Sequence, residues 1–162
     1  MPHTSREKTG NAAAFRHFSL DGPETSRMRK PLRTLIIEDF PPLIDLYVEK
    51  LGNLPGIELI NPGPVETFDG AMRSILAVSP EILLLDLNLS EGRSEGFAIH
   101  RALRRLGRRP YTILTSTTFK PELTDDINEH IRRSDIDAAF NKFDFEGLTL
   151  LLLALSSPGP NH

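Results

Sequence analysis

A parallel α/β sheet with helices on both faces is predicted by three features of this chain. Short apolar runs alternate five times with stretches of helical period. The run Ile82–Leu87 is almost continuously apolar, as suits a central strand covered on both sides. Turn formers such as Pro55-Gly56 and Ser79-Pro80 separate the segments.

The elements follow in order. Arg33–Ile37 is a short β-branched run and reads as the first strand. Pro41-Pro42 then opens a helix carrying Leu43, Leu46, Tyr47 and Leu51, because proline in a first turn lacks only a donor that would be unpaired anyway. Ile57–Ile60 is the second strand, and Val65–Val78 repeats apolar residues at Phe68, Ala71, Met72, Ile75 and Leu76 as a second helix. Ile82–Leu87 is the third strand and Phe97–Leu106 the third helix. Tyr111–Leu114, a fourth helix at Leu123–Ile131, Ala138–Phe140 and a closing helix at Leu148–Leu155 complete the series. This rhythm predicts a flavodoxin-like (βα)5 fold, a doubly wound sheet of five parallel strands in the order 2-1-3-4-5.

The domain is expected over residues 32–156. Residues 1–31 are rich in Ser, Thr, Gly, Pro and basic side chains, too poor in apolar surface to offset their ordering entropy, and read as a flexible extension with at most a short helix near Asn11–Phe18. Residues 157–162 are a tail opened by Ser157-Pro158-Gly159-Pro160. The net charge of −3 is unevenly spread: residues 1–33 carry seven Lys/Arg against three Asp/Glu, and residues 34–162 twelve against nineteen. An acidic body is a poor match for nucleic acid. No apolar run approaches the roughly 20 residues that span a bilayer, and the N-terminus lacks a secretory signal pattern. With no cysteine there is neither a disulfide framework nor thiolate chemistry, so a cytoplasmic protein is expected.

The chemistry-bearing residues stand at the ends of the predicted strands. Glu38 and Asp39 end the first, Asp86 the third and Thr115 the fourth, while Lys142 follows the fifth. In a parallel α/β sheet these ends open on one crevice, so three carboxylates, a hydroxyl and an ammonium should converge there. Such a set suits Mg²⁺, which prefers hard oxygen ligands, together with a phosphoryl group. Each residue also has a plainer reading. Glu38-Asp39 would be an acidic pair at a helix N-terminus, Asp86 a turn cap, Thr115 a turn former and Lys142 a surface lysine. Asp86 is expected to present an exposed carboxylate at the mouth of the sheet.

From about Pro31 to Ser156 the chain resembles the receiver domain of bacterial two-component response regulators. The resemblance rests on Ile36-Ile37-Glu38-Asp39, on Leu83-Leu84-Leu85-Asp86-Leu87-Asn88-Leu89, on Pro110–Thr115 with Ser116 after it, and on Phe140-Asn141-Lys142. It implies that Asp86 accepts phosphate from a phosphohistidine and that Thr115 and Lys142 hold the phosphoryl group. Glu38, Asp39, Asp86 and the backbone carbonyl of Asn88 would bind Mg²⁺. The implied partners are a histidine kinase or histidine phosphotransfer protein, a downstream protein, and a second copy meeting through the fourth helix, fifth strand and closing helix. Three positions depart from the family pattern. Ser90 stands for a common proline, Phe143 for another, and Ala139 for the aromatic that usually moves behind the phosphate-bound hydroxyl, with Phe140 the candidate substitute. Switching is therefore expected through the segment Ser116–Lys120 and the fourth helix, or through Phe140.

The leading expectation is a single-domain response regulator, since few residues follow Ser156, with no turnover of an external substrate. A receiver-like interaction module that signals without phosphate is the alternative. An aspartyl-phosphate phosphohydrolase fits poorly, because the second carboxylate it needs for acid–base work is replaced by Asn88. Arg101, Arg104, Arg105, Arg108 and Arg109 read as a solvated helix end, and no histidine pair has metal-ligand spacing.

Overall fold

The computed structural model describes residues 29–90, 94–117, 129 and 131–159. Its sheet contains β1 (Leu32–Ile37), β2 (Ile57–Ile60), β3 (Ile82–Asp86), β4 (Tyr111–Ser116) and β5 (Ala138–Asn141), all paired in parallel in the order β2-β1-β3-β4-β5. The expected flavodoxin-like arrangement is therefore the one observed. The helices described in full are α1 (Pro41–Leu51), α2 (Phe68–Val78), α3 (Glu95–Arg105) and α4 (Phe145–Ser156). The helix expected at Leu123–Ile131 lies almost wholly outside the described residues, which resume as helix at residues 131–133. The expected extension also lies outside them up to residue 28, as do residues 91–93 and 118–120 of the two loops.

Alternation along the strands divides the core in two. Ile36, Ile82, Leu84 and Ile113 face α1 and α4, where they meet Leu43, Tyr47, Leu51, Leu148 and Leu152. Leu35, Ile37, Leu83 and Leu85 face the other way, onto Ala71 and Ile75 of α2 and Ile99 and Leu103 of α3. Every residue of β3 is buried, as its unbroken apolar run implies.

Several boundaries differ from the sequence expectation. Strand β4 continues through Thr115 and Ser116, because ladder partners Asp86 and Phe140 hold Thr115 and Asn141 holds Ser116. Polar side chains end an apolar pattern without ending the backbone ladder. Helix α2 starts at Phe68 rather than Val65: Thr67 caps it, accepting from the Gly70 N–H at 2.9 Å. Val65 instead donates its N–H to the Glu38 carbonyl at 2.8 Å, tying the preceding loop to the sheet. Helix α4 starts at Phe145, earlier than its leucine run suggests, because Asp144 accepts from the Gly147 N–H at 2.9 Å.

Gly96 sets the approach of α3 to the end of β3. Its N–H donates to the Leu87 carbonyl at 3.0 Å. An added Cβ would lie 2.7 Å from the Asp86 carbonyl oxygen and 2.9 Å from Leu87 Cα, both backbone atoms unable to move independently. Gly96→Ala should therefore destabilise the protein in chemical denaturation by about 1–3 kcal/mol, because the clash outweighs the propensity gain of at most about 1 kcal/mol.

His100 is buried in α3, with Nε2 accepting from Arg104 Nε at 3.4 Å and Nδ1 without a hydrogen-bond partner among the described residues. Burial, with the Arg104 charge second, lowers its pKa below the ordinary 6.5; Asp137 and Asp135 oppose this. The unfolded chain thus takes the proton more readily, so this contribution to stability is full above about pH 6.5 and is lost as the pH falls through the folded value. His100→Leu should flatten that acid-side decline in melting temperature; an unchanged slope would refute it.

Candidate functional site

Period-two alternation puts the site on one face of the sheet. Ile36 and Glu38, Leu84 and Asp86, Ile113 and Thr115, and Phe140 and Lys142 each lie two residues apart, and the first member of each pair packs toward α1 and α4. The second members carry that row to the C-terminal ends of the strands. Asp86 and Thr115 are direct ladder partners. Asp39, one residue out of phase, still brings a carboxylate oxygen to the same mouth.

Lys142 joins the carboxylates. Its Nζ donates to Asp86 Oδ2 at 2.7 Å and to Glu38 Oε1 at 3.1 Å, and lies 2.9 Å from Glu38 Oε2. Asp86 and Glu38 are each 1% exposed. The exposed carboxylate expected for Asp86 is therefore corrected: Lys142 folds over it, and Asp86 Oδ1 accepts the Asn88 N–H at 3.0 Å. A buried carboxylate needs such compensation, since desolvating an unpaired ion costs several kcal/mol. Lys142, its side chain 12% exposed, is no surface lysine.

The charges perturb one another. Burial, then the Asp86 charge, pushes the Glu38 carboxyl up to about 7, with Lys142 opposing. Burial also raises Asp86, again against Lys142 and the Asn88 N–H. For Lys142, burial acts downward, but its bonds to Asp86 and Glu38 more than reverse it.

Glu38, Asp39 and Asp86 each offer a carboxylate oxygen, all within 4.8 Å of one another. That spacing is comparable to the roughly 4.2 Å between opposite ligands of an octahedral Mg²⁺ with bonds of about 2.1 Å. Among the described residues Glu38 Oε2 accepts no aligned hydrogen bond despite its burial, and one ammonium stands beside the three carboxylates. The donor set thus fits a small divalent cation. Asn88 places its backbone in the same turn; its side-chain oxygen accepts the Ser94 N–H at 2.9 Å, closing the loop after β3.

Two residues were missed in the sequence. The Ser90 hydroxyl donates to Asp39 Oδ2 and so engages one of the carboxylates of the candidate cation cluster. Nothing local signals a contact between residues so far apart in the chain. Tyr47 lies beneath the site, its hydroxyl donating to the Lys142 carbonyl at 3.4 Å and its oxygen lying alongside the Thr115 side chain. Its signal was a tyrosine in an otherwise aliphatic helix stripe, because a buried phenol requires a polar partner. Phe140 is not a substitute for the missing aromatic. It packs toward α1 and α4, whereas Ala139 packs with Leu87, Leu114 and Ile136 on the opposite face. Adjacent strand residues point to opposite sides.

The arrangement has the fold of response-regulator receiver domains. A DNA-binding response regulator of the LuxR family from Staphylococcus aureus is similar at 20% identity, with 78% of this chain and 99% of that chain covered and a TM-score of 0.63. The CheY-like receiver domain of a response regulator from Methylobacillus flagellatus is 22% identical, covering 77% of this chain and 98% of that one at a TM-score of 0.59. The BeF3-activated N-terminal receiver domain of RstA from Klebsiella pneumoniae is 21% identical, with 76% and 97% covered and a TM-score of 0.57. No family model and no curated protein matches the sequence. Among the described residues no helix is long and apolar enough to cross a membrane.

The carboxylates make a test of cation binding. Glu38 and Asp86 both have folded pKa values above their unfolded ones. Their stability contribution is full at acid pH and is lost as the pH rises, for Glu38 from its ordinary 4.5 through about 7. A cation favours the ionised forms and removes that loss. Millimolar Mg²⁺ should raise the melting temperature more at about pH 8 than at about pH 5, and less in Asp39→Ala than in the unsubstituted chain. Equal increments at both pH values would contradict the assignment.

Proposed function

We propose that this chain is a receiver that takes a phosphoryl group onto Asp86 and signals by changing its affinity for another protein. The observation carrying this reading is the buried contact of Lys142 Nζ with Asp86 and Glu38, at a strand-end mouth where Thr115 is the ladder partner of Asp86. The phosphoryl donors consistent with it are a histidine kinase or a histidine phosphotransfer protein, which places the reaction in the cytoplasm. A carboxylate oxygen of Asp86 attacks phosphorus, and the P–N bond breaks with its electron pair on the imidazole nitrogen, which takes up a proton. An acyl phosphate remains on Asp86. Lys142, on a flexible four-carbon stem, yields its place over Asp86 to the incoming group and then pairs with the phosphoryl oxygens. The Thr115 hydroxyl donates to another of those oxygens, and the pre-set donors act mainly by electrostatic stabilisation. Glu38, Asp39, Asp86 and the Asn88 carbonyl would hold Mg²⁺, which supplies neutralisation of the phosphoryl charge. The protein itself turns over no external substrate in this reading.

A second reading keeps the fold as an interaction module without phosphate. It is favoured by the engagement of both Asp86 oxygens and by the Ser90 contact to Asp39. Incubation with acetyl phosphate and Mg²⁺ separates the two. Intact mass should rise by one phosphoryl group, and Asp86→Asn should abolish the increase. Unchanged labelling in that variant would refute Asp86 as acceptor; no labelling of the unsubstituted chain would favour the module.

A further inference from the structure

The Thr115 hydroxyl is loosely held. Its one proton goes to the Leu85 carbonyl at 3.5 Å, near the limit of a hydrogen bond, and the Tyr47 hydroxyl oxygen lies alongside as an alternative acceptor. Tyr47 is 1% exposed and touches three parts of the molecule at once. Its hydroxyl meets Thr115 and, at 3.4 Å, the backbone carbonyl of Lys142. Its ring stands edge-on to Phe145, the first residue of α4, with centroids 5.8 Å apart and planes at 66°. Burial raises the pKa of the phenol against the opposing influence of Thr115, and the charges of Glu38 and Asp86 add to the rise. On the other face of the sheet, Ala139 offers only a methyl group to a displacement.

We propose that Tyr47 is the positioning residue that couples the state of Asp86 to the packing of α1 against α4. This rests on the reading of Asp86 as phosphoryl acceptor. In the resting chain the Tyr47 hydroxyl oxygen is one of the two acceptors open to the Thr115 hydroxyl. When that hydroxyl turns to an anion on Asp86, Tyr47 loses the partner, and its ring shifts against Phe145 and the start of α4. The conformational response therefore appears on the α1–α4 side.

Beryllofluoride with Mg²⁺, a stand-in for the phosphoryl group, is the probe. The chain has two tyrosines and no tryptophan, so Tyr111→Phe leaves Tyr47 as the only tyrosine emitter. In that variant, tyrosine emission should change on beryllofluoride binding, and amide exchange of residues 145–156 should change with it. Tyr47→Phe keeps the ring against Phe145 but removes the hydroxyl. It should retain the fluorine NMR signal of bound beryllofluoride and lose most of the exchange response in residues 145–156. A full response in Tyr47→Phe, silent Tyr47 emission, or loss of binding in Tyr47→Phe alone would overturn the coupling role. No bound signal in the unsubstituted chain would instead overturn the reading of Asp86, and the coupling with it. Should Tyr47→Phe fail to fold, the emission of the Tyr111→Phe variant decides.

Discussion

The contact between the Lys142 ammonium and the buried carboxylates of Asp86 and Glu38 is the constraint on which the rest of this structure depends. Two carboxylates nearly out of water are tolerable only with a compensating charge within hydrogen-bond distance. That charge comes from just beyond β5, the edge strand. The ion contact therefore ties the edge of the sheet to β1 and β3 at its centre, and shifting β5 by one residue would swing Lys142 to the other face. The compensation is incomplete: Glu38 remains raised to about 7, and Asp86 above its ordinary value. An excess of acid beside one ammonium is a standing demand for further positive charge.

The same alternation that builds the core builds the site. Ile36, Leu84, Ile113 and Phe140 pack toward α1 and α4, and the next residues of their row are Glu38, Asp86, Thr115 and Lys142. The polar mouth is the open end of a hydrophobic layer. Side chains beneath it have little room to move independently, because protein interiors are close-packed. Tyr47 occupies the boundary, its ring in the apolar layer and its hydroxyl in the polar one. Motion at the mouth has a direct physical route to Phe145, whereas Ala139 presents little to push against on the other face.

Ser90 and Asn88 shape the approach to the mouth in different ways. Asn88 fixes the loop by accepting from Ser94, and its N–H holds one oxygen of Asp86. Ser90 engages Asp39, the most accessible of the three carboxylates. A hydroxyl can leave Asp39 without stranding a buried group, since Ser90 is exposed to water. The resting mouth is thus only partly compensated and has an oxygen that a cation can share.

Much of the fold was legible in the chain because its signals are local. Apolar runs of strand length, helical periods between them and Pro/Gly punctuation determined the order and type of the described elements, and a parallel sheet then brings the strand ends together. Charged residues ending apolar runs, Glu38-Asp39 and Asp86 above all, marked the site. Even the face taken by Phe140 follows from its distance of two residues from Lys142. The tertiary structure alone decided the burial of Asp86 beneath Lys142, the Ser90–Asp39 contact and the placement of Tyr47 under Thr115. Each joins residues distant in the chain, through strand register and the seating of helices on the sheet. A side chain's pattern tells which way it points, but only the packed partner tells what it meets there.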